Sequence, residues 1–117
     1  MNKINKSTKI AYNLVNSISE KKGNLGFTYI IDALTIVLDT NYDNIRITDI
    51  YKKVADMHNA TPARVERSIR TFICSHALNP NNTNIEKIYE IFNCKCEKMN
   101  NKDFIIGLRN YIVYNNI

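Results

Sequence analysis

Apolar residues recur at steps of three and four along almost the whole chain, a spacing that puts them on one side of an α-helix and on no side of a strand. Six segments carry it. Ile10, Leu14 and Ile18 follow Ser7 or Thr8, either of which can cap a first helix that ends at Lys21, Lys22 and Gly23. Beyond a joint at Gly23 to Gly26, Ile30, Ile31, Leu34, Val37 and Leu38 make a broad stripe, the mark of the most buried helix, with Asp39 to Asn44 as its exit loop. Thr48 reads as the cap of a third helix carrying Ile50, Val54 and Met57 and stopping at His58 and Asn59. Thr61 and Pro62 read as N-cap and first position of a fourth helix, because proline has no N–H to lose there and its φ is already helical. Val65, Ile69, Phe72, Ile73 and His76 or Ala77 give that helix its buried side, to about Leu78. The break at Asn79 to Asn84 contains Pro80; Ile85, Ile88, Tyr89 and Phe92 then mark a fifth helix. After a polar stretch from Asn93, Asn101 reads as the cap of a last helix with Phe104, Ile105, Leu108, Tyr111 and Ile112. The expectation is an all-α, six-helix domain spanning residues 1–117.

Composition narrows the function classes. Three Gly and two Pro leave little for a glycine-rich phosphate loop or a turn-rich all-β fold. No run approaches the roughly 20 apolar residues of a bilayer crossing, and the polar stretch Met1 to Thr8 has no apolar segment behind its lysines, so no membrane is expected. Three cysteines, an odd count without a secretory signal, point to thiols kept reduced in the cytoplasm. Lys plus Arg is 16 against 11 Asp plus Glu, a net charge of +5 that suits a polyanionic partner if it is clustered. Asn and Ile, at 18 each, share AT-rich codons with lysine, so bulk lysine says little and placement decides.

The placement is in the arginines. Residues 48–78 read as two helices joined by a tight turn, the layout of a helix-turn-helix, and three of the five arginines, Arg64, Arg67 and Arg70, fall on the second helix, about Thr61 to Leu78. At about 100° per residue, Arg67 lies opposite the buried stripe, flanked by Thr71, Arg70 and Ala63, with Arg64 and Glu66 on the shoulders. A guanidinium can donate two parallel bonds to guanine O6 and N7, and a carboxylate can accept from cytosine N4, so this face has base-reading chemistry. Lys52 and Lys53 on the preceding helix, and the N–H groups of the first turn near Thr61 to Arg64, suit phosphates. The plain alternative is a solvated helix face on which Glu66 and Arg70 form an ordinary surface pair.

The string Thr61-Pro62-Ala63-Arg64-Val65-Glu66-Arg67-Ser68-Ile69-Arg70 resembles the T-x-S-R-V-E-R-A-I-R signature of the recognition helix in the C-terminal effector-domain family of stage 0 sporulation protein A. Gly26-Phe27-Thr28-Tyr29-Ile30 is similar to that family's G-Y-x-Y-L, Ile50-Tyr51 through Ala55 to the first helix of its helix-turn-helix, and Asn101-Lys102-Asp103-Phe104-Ile105 to its N-S-E-F-I. The resemblance covers about Gly26 to Ile112. It implies a transcription factor that reads a duplex box of the TGTCGAA type. Arg64, Glu66 and Arg67 would then read bases, with Lys52, Lys53, Thr61, Ala63, Arg70 and Thr71 along the backbone. No cofactor and no metal are expected. Its partners would be double-stranded DNA, a second copy of the chain on DNA, and RNA polymerase. Ala63 stands where the family has serine, Thr71 where it has histidine and Cys74 where it has glutamate, and the first helix has Ser19-Glu20-Lys21-Lys22 in place of G-V-P-A. No receiver domain precedes the helices in this sequence, and Met1 running straight into the first helix reads as a stand-alone relative rather than an excised domain.

Two other readings compete with specific DNA binding. One is a helical adaptor or antagonist that kept the fold and lost the operator; it should have relaxed the exposed arginines first. The other is non-specific duplex binding through charge alone. Catalysis is not expected, because neither His58 nor His76 has a nucleophile or carboxylate at motif spacing. Cys74, His76, Cys94 and Cys96 have zinc-ligand chemistry, but residues two apart on a helix diverge too far to share one ion.

Overall fold

In a computed structural model, residues 6–19, 24–40 and 46–117 are described, and all their regular structure is helical. The order is α1 (Lys6–Ile18), α2 (Leu25–Asp39), α3 (Ile47–His58), α4 (Pro62–Phe72) with a π-helical turn at Ile73–Ala77, α5 (Ile85–Phe92) and α6 (Asn101–Tyr114). The expected end of the first helix at Lys21 to Gly23 and most of the exit loop after Asp39 lie outside the described residues. α2 has the stripe expected of the most buried helix, and it packs against α1, α3, α4 and α6. Phe27, Tyr29, Ile30, Ile31, Ala33, Leu34 and Val37 are all buried. They join Val15 and Ile18 of α1, Val65, Ile69 and Phe72 of α4, and Phe104, Ile105 and Leu108 of α6 in one hydrophobic cluster. Each Val, Leu, Ile or Phe among them contributes about 1.5–3 kcal/mol on leaving water.

Where α2 meets α4 the backbones nearly touch. A Cβ added at Gly26 would lie 2.4 Å from the Ser68 carbonyl oxygen and 2.5 Å from Phe72 Cβ. Gly26 thus belongs to the first turn of α2 rather than to a joint before it, and Asn24 supplies the cap, its side chain accepting from the Gly26 N–H at 2.7 Å. That contact fixes α4 against the centre of the fold.

Three boundaries differ from the sequence expectation. Arg46, not Thr48, precedes α3, without a side-chain cap bond, and Thr48 lies in the first turn. Asn100, not Asn101, caps α6 by accepting from the Asp103 N–H at 2.8 Å, which frees Asn101 for another use. The fourth helix does not run evenly to Leu78. On an unbroken α-helix Leu78 would fall about 140° round from Ile73. The wider π-turn brings Leu78 back to the buried side, with its N–H bonded to the Ile73 carbonyl at 2.8 Å.

The cysteines also depart from expectation. Cys94 and Cys96 are joined in a disulfide in the turn after α5, their Cα atoms 5.4 Å apart. Cys74 alone is a free thiol, and it is exposed. Among the described residues no three His, Cys, Asp or Glu side chains gather where they could hold a metal ion.

Candidate nucleic-acid interface

The turn between α3 and α4 is two residues long before the cap. Asn59 closes α3 in the left-handed conformation, φ 54° and ψ 44°, a region asparagine tolerates better than most side chains. The Ala60 N–H reaches back to the Ala55 carbonyl at 2.9 Å. Thr61 then caps α4, its hydroxyl accepting from the Arg64 N–H at 3.1 Å, with Pro62 in the first position as expected. So short a link fixes the angle at which α4 leaves α3, and the buried stripe of Val65, Ile69, Phe72 and Ile73 fixes its rotation.

Rotation decides what faces solvent. Thr61, Ala63, Arg64, Arg67, Arg70 and Thr71 are exposed, and Glu66 is half-buried. Lys52 and Lys53 are exposed on α3. Arg67 is the crest, and the two shoulders border different surroundings. On one side Arg64, Arg67, Ala63 and Ser68 line a shallow cleft of about 430 Å³ together with Thr61 and Leu25. Arg67, Ser68 and Thr71 continue that side against Asn24, Leu25 and Gly26. On the other side Glu66, Arg70 and Cys74 face Ile47, Tyr51 and Met99 across an open groove of about 1010 Å³. The sequence-derived face is therefore one continuous surface with the arginine-rich shoulder toward α2 and the Glu66 shoulder toward α6.

Two features of this surface were not foreseen. Leu25, at the start of α2, is 46% exposed beside the arginines. The cap signal of Asn24 before Gly26 locates it, once Gly26 is seen to be helical. The second is Asn101, which is buried and donates from Nδ2 both to the Tyr51 hydroxyl and to the Glu66 carbonyl, each at 3.0 Å. One side chain of α6 thus ties α3 to α4 at the level of Glu66. Burial holds the Tyr51 phenol above its ordinary value; the bond from Asn101 and the Arg70 charge act the other way, and the Glu66 charge adds to the rise.

Charges on the face are partly paired. Arg70 Nη1 donates to Glu66 Oε2 at 2.5 Å, one helical turn apart, with the acid first. His58, the last residue of α3, bonds the Asp32 carboxylate of α2 and lies edge-on to the Tyr29 ring, 5.1 Å between centroids. That carboxylate is 26 residues away in sequence, so motif spacing could not reveal it. His76 is half-buried, edge-on to Phe72. Neither histidine neighbours Cys74 in an arrangement for nucleophilic chemistry among the contacts described.

No described helix is long and apolar enough to cross a membrane. Comparison with curated proteins and with solved structures gives no match. The family described as "Sporulation initiation factor Spo0A C terminal" matches residues 11–112 of the chain. That span takes in α2 to α5 whole, most of α1 and α6, the two-residue turn and the whole arginine face. The chain therefore belongs to the Spo0A C-terminal family, the DNA-binding effector domains of sporulation regulators.

Proposed function

We propose that this protein is a sequence-specific duplex-DNA-binding transcription factor whose α4 enters the major groove. The observation that carries this reading is the placement of exposed Arg64 and Arg67 and half-buried Glu66 on one helix face whose opposite side is wholly buried. Arg64 and Arg67 suit guanine, and Glu66 suits the cytosine N4 amine. The small side chains of Ala63, Ser68 and Thr71 let the helix approach the base edges closely. A box of the TGTCGAA type, with its guanine and cytosine steps, offers those partners.

Lys52, Lys53, Thr61, Ala63 and Thr71 flank the readers where the sugar-phosphate chains would pass. At the start of α4 Pro62 carries no N–H and that of Arg64 goes to Thr61, so Ala63 supplies the first-turn donor best placed for a phosphate. The reading carries a second copy of the chain on DNA and RNA polymerase as partners. α6 buries Phe104, Leu108 and Ile112 within its own fold, so a dimer would use other surfaces.

A single substitution separates base reading from charge. Arg67→Ala, measured by fluorescence anisotropy, should weaken binding to the box by about 1–3 kcal/mol and to random duplex far less. Equal weakening on both, with the salt slope lowered by about one, would make Arg67 a phosphate contact and overturn its role as a reader.

A further inference from the structure

A carboxylate is an awkward reading group, because it must approach cytosine between two rows of phosphates that repel it. Glu66 is the acidic member of the reading face, and it is held at both ends. Its main-chain carbonyl accepts from the buried Asn101 Nδ2 at 3.0 Å, which pins that turn of α4 against α6. Its side chain is engaged through Oε2 by Arg70 Nη1 at 2.5 Å, leaving Oε1 to accept a bond from outside. The pair carries no net charge, so the phosphate field acts on a dipole rather than on a bare anion. A free glutamate side chain would sample several rotamers and lose that freedom on binding, whereas one already bridged has less to lose.

We infer that Arg70 is a positioning residue: it neutralises and aims the Glu66 carboxylate for a C·G pair, and does not hold a phosphate. This rests on Glu66 being a base reader. Its consequence differs from that of a phosphate contact in two measurable ways. Losing Arg70 should relax discrimination at the base pair that Glu66 reads, and at no other. It should also leave the number of released counterions, and so the salt slope, unchanged.

The test uses the full chain and five proteins: the parent, Glu66→Gln, Arg70→Ala, Arg70→Lys and the double variant of Glu66→Gln with Arg70→Ala. Each is titrated by anisotropy against a TGTCGAA-type duplex and against duplexes in which one base pair at a time is swapped, over a series of salt concentrations. Arg70 lies exposed on the surface, so its removal leaves the core intact. The expected result is that Arg70→Ala and Glu66→Gln each cut discrimination at the same C·G pair, within the roughly 5- to 150-fold that one good base contact provides. The double variant should be no worse than Glu66→Gln alone, the salt slope of Arg70→Ala should equal the parent's, and Arg70→Lys should restore part of the discrimination. A uniform loss over all duplexes with a slope lower by about one would overturn the inference and return Arg70 to the phosphates. If Glu66→Gln itself left every base preference intact, Glu66 would not be a reader and the inference would fall with that reading, an outcome distinct from the first.

Discussion

Asn101 offers the sharpest quantitative test of how the fold holds α4. Its amide nitrogen donates two 3.0 Å bonds, to the Tyr51 hydroxyl and the Glu66 carbonyl, and the residue is only 6% exposed. Asn101→Ala deletes both bonds, at about 1 kcal/mol each, and leaves a small void behind a hydroxyl that burial keeps from water. The Glu66 carbonyl retains its place in the helical ladder, so the total should be about 2–3 kcal/mol. At this chain length that is roughly 10 °C in Tm. Asn101→Asp keeps the shape but replaces the donor with an acceptor facing the Glu66 carbonyl. The new carboxyl would be ionised far less readily in the folded state than in the unfolded one, a raised pKa. Its penalty is therefore small below the ordinary carboxylate range, about pH 4, and grows as the pH rises above it. Urea unfolding at pH 7 and pH 4 separates the two: the alanine deficit should be similar at both, and the aspartate deficit should shrink at the lower pH. An alanine cost under about 0.5 kcal/mol, or an aspartate variant as stable as the parent at pH 7, would refute the account of Asn101 as the tie between α3, α4 and α6.

Gly26→Ala should destabilise by about 1–3 kcal/mol although alanine is the better helix former, because its Cβ meets the backbone of Ser68, which cannot swing aside; a stabilised variant in thermal unfolding would contradict this close approach. Tyr111 donates to Glu90 at 2.9 Å and accepts from Lys87 at 3.1 Å, and the Tyr111 bond is the main cause that lowers Glu90 and raises Lys87. Glu90 therefore favours the folded state above the ordinary carboxylate range and loses that contribution as the pH falls through its lowered value. Tyr111→Phe should move the Glu90 titration upward in carbon-detected NMR, and an unmoved Glu90 would dismiss the network. A double-mutant cycle on His58→Ala and Asp32→Ala should give a coupling of about 0.5–1 kcal/mol that weakens in salt, since the pair lies partly exposed at the α2–α3 contact; strict additivity would show that it contributes nothing.

Helix number and type were legible because each segment shows its own buried stripe, and the period of that stripe survives any context. Thr61-Pro62 marked the start of α4 because capping hydroxyl and proline act locally. Boundaries that depend on partners were not legible in the same way. Asn100 and Asn101 are chemically equal candidates for the α6 cap, and only the presence of Tyr51 and the Glu66 carbonyl behind the second one decides between them. The π-turn is forced by where Leu78 must go, which no local pattern states. Asparagine abundance, read as a codon effect, conceals structural uses. Asn24 and Asn100 cap helices, Asn59 and Asn93 adopt φ of 54°, and Asn82 donates to the Ile18 and Ala77 carbonyls at 2.8 and 2.9 Å. On the α4 face the arginines were legible by angle alone, whereas the pairing of Arg70 with Glu66 was visible only as the bland alternative. The nearness of α2's first turn to Arg67 was not legible, since it arises from a contact between residues 42 apart in sequence, Gly26 against Ser68.

The central claim is that the α4 face distinguishes one duplex sequence from another. Its most direct test is fluorescence anisotropy of the purified protein with a labelled duplex carrying a TGTCGAA-type box, against a scrambled duplex, at two salt concentrations. The account predicts a preference for the box of roughly a hundredfold or more that persists at the higher salt. Equal affinities that fall together as salt rises would leave a phosphate binder without a reading head, and no binding at low salt would leave a helical interaction module that keeps only the fold.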